Sequence, residues 1–467
     1  MTGAFVWIIL PLMISFILII LRKYYWVTSW LQIAVSFILA LLAVISTTDR
    51  VNRGALQVIE LGSAFNILGR SLVIDSNLRN LTIIFYSFLG FWTLALHIFK
   101  VQSRVVPLGL TFFAFAISSL AVEPFLYSAL LIEIAVIVSV IMVADTKAQS
   151  KKGVLRYLVY FSFGVPFVLL AGWYLAGGEI TPVNAGQLIQ ATLLLGLGFV
   201  FWLGVFPFQS WIPLIGEENR PAESMLLLIV MPVVIIMLLL KYLDGFVWLR
   251  EYQLVYQALR IFGLSMILTG SFWAFFEHNI KRLISYLMIV STGVMLLSIG
   301  LDQPSGIYLS AYLVFIRLSA FFVLTWTLFI LQREYAGFSF NSFKSLFFRS
   351  PLIGISSLIA FFSIVGMPLT AGFPVMLSLY AYLSATDRWL IISTILSSGI
   401  ISIVLIRLSF LIFTQPGEMD SHKFKLTTVE MTLLISFAIF LITAGLFPDV
   451  FLSGFEGAVT GFEFLVK

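Results

Sequence analysis

The sequence predicts an all-α polytopic membrane protein of about fourteen transmembrane helices. Of its 467 residues, 61% are apolar and only 10% are charged, whereas about 25% are charged in a typical soluble domain. Mean hydropathy is +1.08, and apolar runs of about 20 residues, long enough to cross a bilayer, recur along the chain. Because lipid offers no partner for backbone N–H and C=O groups, each run is predicted to be a helix.

The predicted spans begin close to the start of the chain. The first is interpreted as a retained span, because it lacks a basic start and no small-residue cleavage site follows it. The longest polar stretch, 47–80, has room only for a small hairpin or a re-entrant cap. In chain order the spans are 4–21, 26–46, 81–99, 105–121, 124–143, 154–176, 188–212, 221–241, 257–276, 281–300, 306–331, 351–383, 389–414 and 428–449.

The distribution of basic residues predicts the orientation. Lysine and arginine are concentrated in the odd-numbered connections between spans, most densely at Lys147, Lys151, Lys152 and Arg156. By the positive-inside bias, these connections face the cytoplasm and both termini face the outside. The net charge of +5 is explained by this bias, so no nucleic-acid partner is expected. The default location is the inner (plasma) membrane of a bacterial cell, with thylakoid and mitochondrial inner membranes as alternatives.

Metal and disulfide sites are not expected. The chain has no cysteine, which excludes disulfides and thiolate ligands. Its three histidines are far apart in sequence and near predicted span ends, where they are interpreted as interfacial residues: His97, His278 and His422.

Two predicted spans are interrupted by glycine and proline, at 204–213 and at 366–374. They lie five spans apart, as expected if 105–241 and 257–414 are inverted five-helix repeats, preceded by spans in 1–104 and followed by a last span and tail in 428–467. Paired broken helices are typical of ion pathways near the membrane midplane, and simple packing kinks are the alternative. The residues assigned to the breaks are Pro207, Gln209, Pro213, Ser224, Pro368 and Gly372.

Four stretches, in order, resemble one family. They are SALLIEIA at 128–135, FPFQSWIP at 206–213 with Pro221 and Ser224 after it, NIKRLISY at 279–286, and GMPLTAGF at 366–373. The chain resembles the antiporter-like membrane subunits of complex I (NADH:quinone oxidoreductase), of membrane-bound hydrogenases and of multisubunit cation/proton antiporters. The resemblance implies a membrane-arm subunit that takes part in proton or cation translocation coupled to electron transfer.

The resemblance also implies a line of buried ionisable residues that carries protons, and this chain departs from it. Glu133 matches the family's glutamate in the fifth span. Apolar or non-titrating residues stand at most of the other matching positions, so pumping by the usual route is predicted to be weak or lost. Family charged positions fall on Trp202, Val233, Met376 and Ser291, and Gln209 stands where the family has a histidine.

The candidates for an ion pathway are therefore four charged residues within predicted spans: Glu133, Arg317, Lys241 and Arg407. Each has a structural alternative. Glu133 could be a protonated acid bonded to a neighbouring helix, and Arg317 could pair with Glu133 or with backbone carbonyls. Lys241, interpreted as the end of the eighth span, and Arg407 could be interfacial anchors that snorkel to the membrane surface.

No cofactor motif or catalytic centre is visible in the sequence. The resemblance implies that quinone, flavin and iron–sulfur sites belong to partner subunits of a complex I-like or hydrogenase-like assembly. Three functions remain open at this point: an antiporter-like subunit of such an assembly, the same position with a purely structural role, and a stand-alone secondary cation/proton transporter.

Overall fold

The computed structural model describes residues 2–46, 64–67, 69–144, 150–175, 185–333, 337–416, 424–451, 462 and 464–465. Helices dominate these ranges, in agreement with the predicted fold class. The helices are α1 (Phe5–Ile20), α2 (Tyr25–Ile45), α3 (Ser76–Ile98), α4 (Val105–Ala121), α5 (Ser128–Val143), α6 (Lys152–Leu175), α7 (Ala185–Leu203), α8 (Trp211–Glu218), α9 (Pro221–Gly245), α10 (Val247–Arg250), α11 (Gln253–Phe276), α12 (Ile280–Ile299), α13 (Pro304–Leu331), α14 (Leu346–Arg349), α15 (Pro351–Val365), α16 (Phe373–Thr386), α17 (Arg388–Ile412) and α18 (Thr428–Leu446).

Eleven helical segments in the described ranges are long and apolar enough to cross a membrane. This number takes α7 and α8 together as one segment, Gly186–Glu218. Four further apolar helices are shorter: Phe5–Ile20, Val105–Ala121, Pro351–Val365 and Phe373–Ala385.

Three helices form the centre of the bundle. In the most apolar part of α9 and of α13, 94% of the residues are buried, and in α12 the value is 89%. In the peripheral helices α17 and α18 it falls to 33% and 22%. Large apolar side chains such as Trp389 and Phe410 are exposed on that periphery, as expected for surfaces that face lipid rather than water.

Two regions interrupt the helical pattern where glycine and proline occur together. After α7 ends at Leu203, Gly204 has φ +64°, a 3-10 turn covers Phe208–Ser210, and α8 follows. After α15, Gly366 has φ +80° and its N–H donates to the Phe362 carbonyl, and α16 begins at Phe373. Positive φ is readily adopted only by glycine, and proline supplies no N–H to continue a helix. The helix therefore stops and the chain changes direction at each of the two interruptions.

Some helix ends differ from the predicted span ends by several residues. α3 begins at Ser76 rather than at 81, because the Asp75 carboxylate accepts a hydrogen bond from the Leu78 N–H at 2.8 Å and caps the helix. α8 extends the seventh segment to Glu218, beyond the predicted end at 212. The prediction that the eighth span ends at Lys241 is also wrong, since α9 continues for one more turn to Gly245.

A small antiparallel sheet covers one end of the bundle. Strand β1 (Phe65–Ile67) pairs with β2 (Arg70–Leu72), and β2 pairs with β3 (Val122–Glu123). The first two strands belong to the polar stretch for which a hairpin or cap was predicted, and the described part is a hairpin. Residues 47–63 and 68 of that stretch lie outside the described residues.

The close contact between α11 and α12 depends on two facing glycines. A Cβ atom on Gly263 would lie 2.6 Å from the Gly293 carbonyl oxygen, and one on Gly293 would lie 2.7 Å from the Gly263 carbonyl oxygen. Small residues at such positions let two membrane helices approach closely. This contact therefore holds the central α12 against the peripheral α11.

Candidate functional site: a buried arginine at the helix junction

Arg317 lies at the centre of the molecule, on α13, with 1% of its surface exposed. Its guanidinium donates to the backbone carbonyls of Leu228 at 2.7 Å and Ile229 at 3.1 Å on α9. It also donates to the Met288 carbonyl at 3.0 Å and the Thr292 hydroxyl at 3.1 Å on α12. One side chain thus joins the three central helices.

A proline explains why one backbone carbonyl of α9 lacks a hydrogen bond within the helix. Pro232 lies inside α9, and a proline has no N–H to donate to the carbonyl four residues earlier. That carbonyl belongs to Leu228, the acceptor of the shortest Arg317 bond. The arginine therefore satisfies a backbone group that the helix cannot satisfy itself.

Of the two predicted alternatives for Arg317, the structure shows pairing with backbone carbonyls and not with Glu133. Its acceptors are on α9 and α12, whereas Glu133 lies on α5 and accepts a hydrogen bond from the Ser162 hydroxyl at 2.6 Å on α6. The other Glu133 oxygen, Oε2, is buried and has no hydrogen-bond partner among the described residues. The structure thus places Glu133 and Arg317 in two separate sets of contacts.

Three of the replaced family positions are buried among packed side chains. The Trp202 indole is buried and donates to the Phe161 carbonyl at 3.0 Å, beside Gly164, which leaves room for the ring. Val233 is fully buried next to Pro232. Met376 is buried against Gly366 at the second interruption. No side chain at these positions can exchange a proton.

The remaining replaced positions are polar but do not titrate at neutral pH. Gln209 is buried, and its side-chain carbonyl accepts a hydrogen bond from the Thr269 hydroxyl at 3.5 Å. Ser291 is buried on α12, one residue before Thr292.

The two other basic candidates lie away from this centre. The Lys241 ammonium donates to the Leu120 carbonyl at 2.6 Å, in the last turn of α4, and lies 4.5 Å from the Phe125 ring centroid. A cation there stabilises the carbonyl end of α4. Arg407 is exposed on α17 and lies 5.1 Å from the Phe340 ring centroid.

The residues assigned to the breaks have different surroundings. Pro207 precedes the 3-10 turn, and Pro213 is buried within α8. The Ser224 hydroxyl donates to the Arg220 carbonyl at 2.9 Å within the first turn of α9. Pro368 is exposed, whereas Gly372 is buried at the start of α16, where an added Cβ would lie 3.1 Å from the Gly366 Cα.

Two buried acids escaped the sequence prediction. Glu430 is 1% exposed, and one of its oxygens accepts from Arg333 at 2.5 Å, which ties α18 to the end of α13. Glu223 is 4% exposed in the first turn of α9. Both stand at the start of predicted apolar spans. An acidic residue inside a predicted span was therefore the feature by which the sequence could have revealed them. In the described ranges, no group of three or more histidines and acids is placed to hold a metal, and His422 lies outside them.

The comparisons with known proteins decide the family. A family model described as "NADH:quinone oxidoreductase/Mrp antiporter, TM" matches residues 124–402, more than half of the chain. The chain belongs to this family. It is accordingly a multi-pass membrane protein, and the matched region includes α9, α12, α13 and the Arg317 contacts.

Three similar proteins illustrate the relationship. NADH-quinone oxidoreductase subunit N 1 of Herpetosiphon aurantiacus is 26% identical over 331 residues, which cover 65% of this chain and 66%, just under two thirds, of that protein. A chain of the archaeal membrane-bound sulfane sulfur reductase superposes with a TM-score of 0.83 at 16% identity, covering 100% of this chain and 98% of that chain. A chain of the Mrp complex from Dietzia sp. DQ12-45-1b gives 0.81 at 12% identity, with coverage of 100% and 99%. At these identities the two structures show the shared fold.

Proposed function

We propose that this chain is an antiporter-like membrane-arm subunit of a complex I-type, hydrogenase-type or Mrp-type assembly. Within that role, it relays few or no protons along the centre of the bundle, because non-titrating residues replace most of the family's ionisable ones there. The family membership and the shared fold support the first part. The second part depends on the side chains at the centre of the bundle.

The observation that carries the second part is the setting of Arg317. A proton relay needs groups that take up and release protons, and a guanidinium keeps its proton at physiological pH. Here the guanidinium bridges α9, α12 and α13 through four acceptors. One of them, the Ile229 carbonyl, lies about one helical turn before Val233, where the resemblance places a central lysine. A fixed positive charge also repels other cations at the same depth of the membrane. This arrangement favours a structural role at the point where relatives would exchange protons.

The proposed architecture follows the sequence prediction. Of about fourteen spans in the chain, residues 105–241 and 257–414 form two inverted five-helix repeats, with the interruptions after α7 and after α15 as the equivalent broken helices. Both termini face the outside of the inner membrane. Quinone, flavin and iron–sulfur chemistry resides in partner subunits, and this chain holds no cofactor of its own.

Purification from the native membrane tests the assembly. A tagged chain extracted in mild detergent is expected to bring other membrane subunits and redox subunits with it. Recovery of the chain alone, or only with copies of itself, would contradict the assembly and favour a stand-alone transporter.

Glu133→Gln tests the missing relay. The substitution keeps the side-chain shape and a carbonyl acceptor for Ser162 but removes the only matched family carboxylate. In proteoliposomes that contain the whole complex, we expect the ratio of ions moved to electrons transferred to remain within about 20% of the wild-type value. Ser162→Ala, which removes the bond partner and leaves the carboxylate, serves as the matched control. A large loss of pumping by Glu133→Gln in an intact complex would overturn the structural role.

A further inference from the structure

A pocket of about 500 Å³, lined in part by charged side chains, opens at one end of the bundle. It lies where the α1–α2, α3–α4 and α8–α9 connections meet the end of α5. All of these are odd-numbered connections, on the side with the excess of lysine and arginine. Arg317 and its acceptors are not among the residues that line this pocket.

Four basic side chains and a single carboxylate line the pocket: Arg22, Lys23, Arg104, Arg220 and Glu223. The side chains of Arg22 and Lys23 are exposed and have no hydrogen-bond or ion-pair partner within the part of the chain that the structure describes. Arg104 donates to the carbonyls of Ile141 at 3.1 Å and Ala144 at 2.6 Å, and so holds the end of α5 at the pocket wall. The pocket is therefore suited to an anionic group.

Glu223 gives the pocket a second, opposite charge. Its Oε1 accepts a hydrogen bond from the Arg104 backbone N–H at 3.2 Å. Its Oε2 is buried and has no hydrogen-bond partner among the described residues. A buried carboxylate oxygen without a donor is costly, so this atom calls for a ligand with a charged hydrogen-bond donor.

The neighbouring surface places the pocket at the depth of lipid headgroups. Tyr24, Trp26 and Trp30 stand at the start of α2 with 66%, 68% and 45% of their surfaces exposed. Exposed tryptophan and tyrosine at a span end are typical of the interface between hydrocarbon and headgroups. Basic pockets between membrane helices on the cytoplasmic side bind lipid headgroups.

We propose that this pocket binds the headgroup of a phospholipid that carries a primary ammonium, of the phosphatidylethanolamine type. The lipid phosphate lies among Arg22, Lys23 and Arg104, and the ammonium donates to Glu223 Oε2. The phosphate explains the excess of positive charge, and the ammonium explains the carboxylate within it. A purely anionic headgroup would leave Oε2 unpaired and repelled.

Lipid exchange on the purified full-length chain tests the proposal. The protein, delipidated in detergent, is mixed with equal amounts of phosphatidylethanolamine, phosphatidylcholine and phosphatidylglycerol, and bound lipid is quantified by native mass spectrometry. We expect phosphatidylethanolamine to be retained about tenfold over phosphatidylcholine, whose trimethylated ammonium has no N–H to donate. Millimolar inorganic phosphate is expected not to displace it. Equal retention of the three lipids, or displacement by phosphate alone, would contradict the proposal.

Substitutions test which side chains bind the ammonium and which bind the phosphate of the headgroup. Glu223→Gln is expected to reduce the preference for phosphatidylethanolamine over phosphatidylglycerol about tenfold, because it removes the anionic acceptor. Arg22→Gln combined with Lys23→Gln is expected to weaken retention of all three lipids. Glu251→Gln, which changes an exposed glutamate after α10, is the control and should change nothing. An unaltered preference in Glu223→Gln would overturn the assignment.

A second measurement remains decisive if Glu223→Gln does not fold. On the wild-type chain, the mono-, di- and trimethylated forms of phosphatidylethanolamine are compared. Retention is expected to fall with each methyl group, as N–H donors are lost. Retention that is independent of methylation would reject a hydrogen bond from the ammonium.

Discussion

Replacing Arg317 with methionine is expected to destabilise the folded chain by on the order of 3 kcal/mol, which is a large share of the stability of a typical domain. The substitution keeps an apolar stem of similar length but leaves the Leu228, Ile229 and Met288 carbonyls without their guanidinium donor. Bonds between membrane helices are individually modest, but here four are lost together from the centre of the bundle. The measurement is unfolding of the purified chain in detergent, followed by tryptophan fluorescence and checked by size-exclusion chromatography.

A double-mutant cycle with Pro232 tests whether Arg317 stabilises the fold by donating to the carbonyl that the proline leaves without an N–H partner. Pro232→Ala restores an N–H that can donate to the Leu228 carbonyl. We therefore expect Pro232→Ala to stabilise the Arg317→Met chain by about 1 kcal/mol more than it stabilises the wild type. Arg317→Lys should be intermediate, because one ammonium cannot reach all four acceptors. Additive effects of the two substitutions would show that Arg317 does not compensate for the proline.

Replacing Gly293 with leucine is expected to separate α11 from α12 and to abolish recovery of folded protein. A side chain at this position would have to enter the space of the Gly263 carbonyl, whose oxygen lies 2.7 Å from the position of a Cβ atom. Backbone cannot move aside as a flexible side chain can, and overpacking in a rigid interior is destabilising. The measurement is the yield of monodisperse protein after extraction in mild detergent.

Gly196→Leu is the matched control for this substitution. Gly196 also lies within an apolar membrane helix, α7, but an added Cβ would meet no heavy atom within 4 Å. It should give nearly wild-type yield, since it introduces the same change in hydrophobicity and helix propensity without a clash. Equal losses from the two leucine variants would show that the close α11–α12 approach is not the cause.

Much of this protein's architecture could be predicted from the sequence, because the bilayer restricts what an apolar segment can be. A run of about 20 apolar residues in lipid forms a helix, and the ordered motifs around Glu133, 206–213, 279–286 and 366–373 indicated the family that the comparisons show. Helix ends were less predictable. They depend on local caps, such as the one at Asp75, that hydropathy does not detect.

The side-chain partnerships were decided by the tertiary structure alone. The sequence placed Pro232 and Arg317 in different spans and left open whether the arginine pairs with a carboxylate or with carbonyls. Only the packing of α9, α12 and α13 brings the guanidinium to the carbonyl that the proline leaves free. Likewise, three connections far apart in the chain, together with the end of α5, bring Glu223 and the basic side chains to one pocket. Hydropathy is a property of each segment, whereas these contacts depend on which helix faces which, and that is determined by packing between segments distant in sequence.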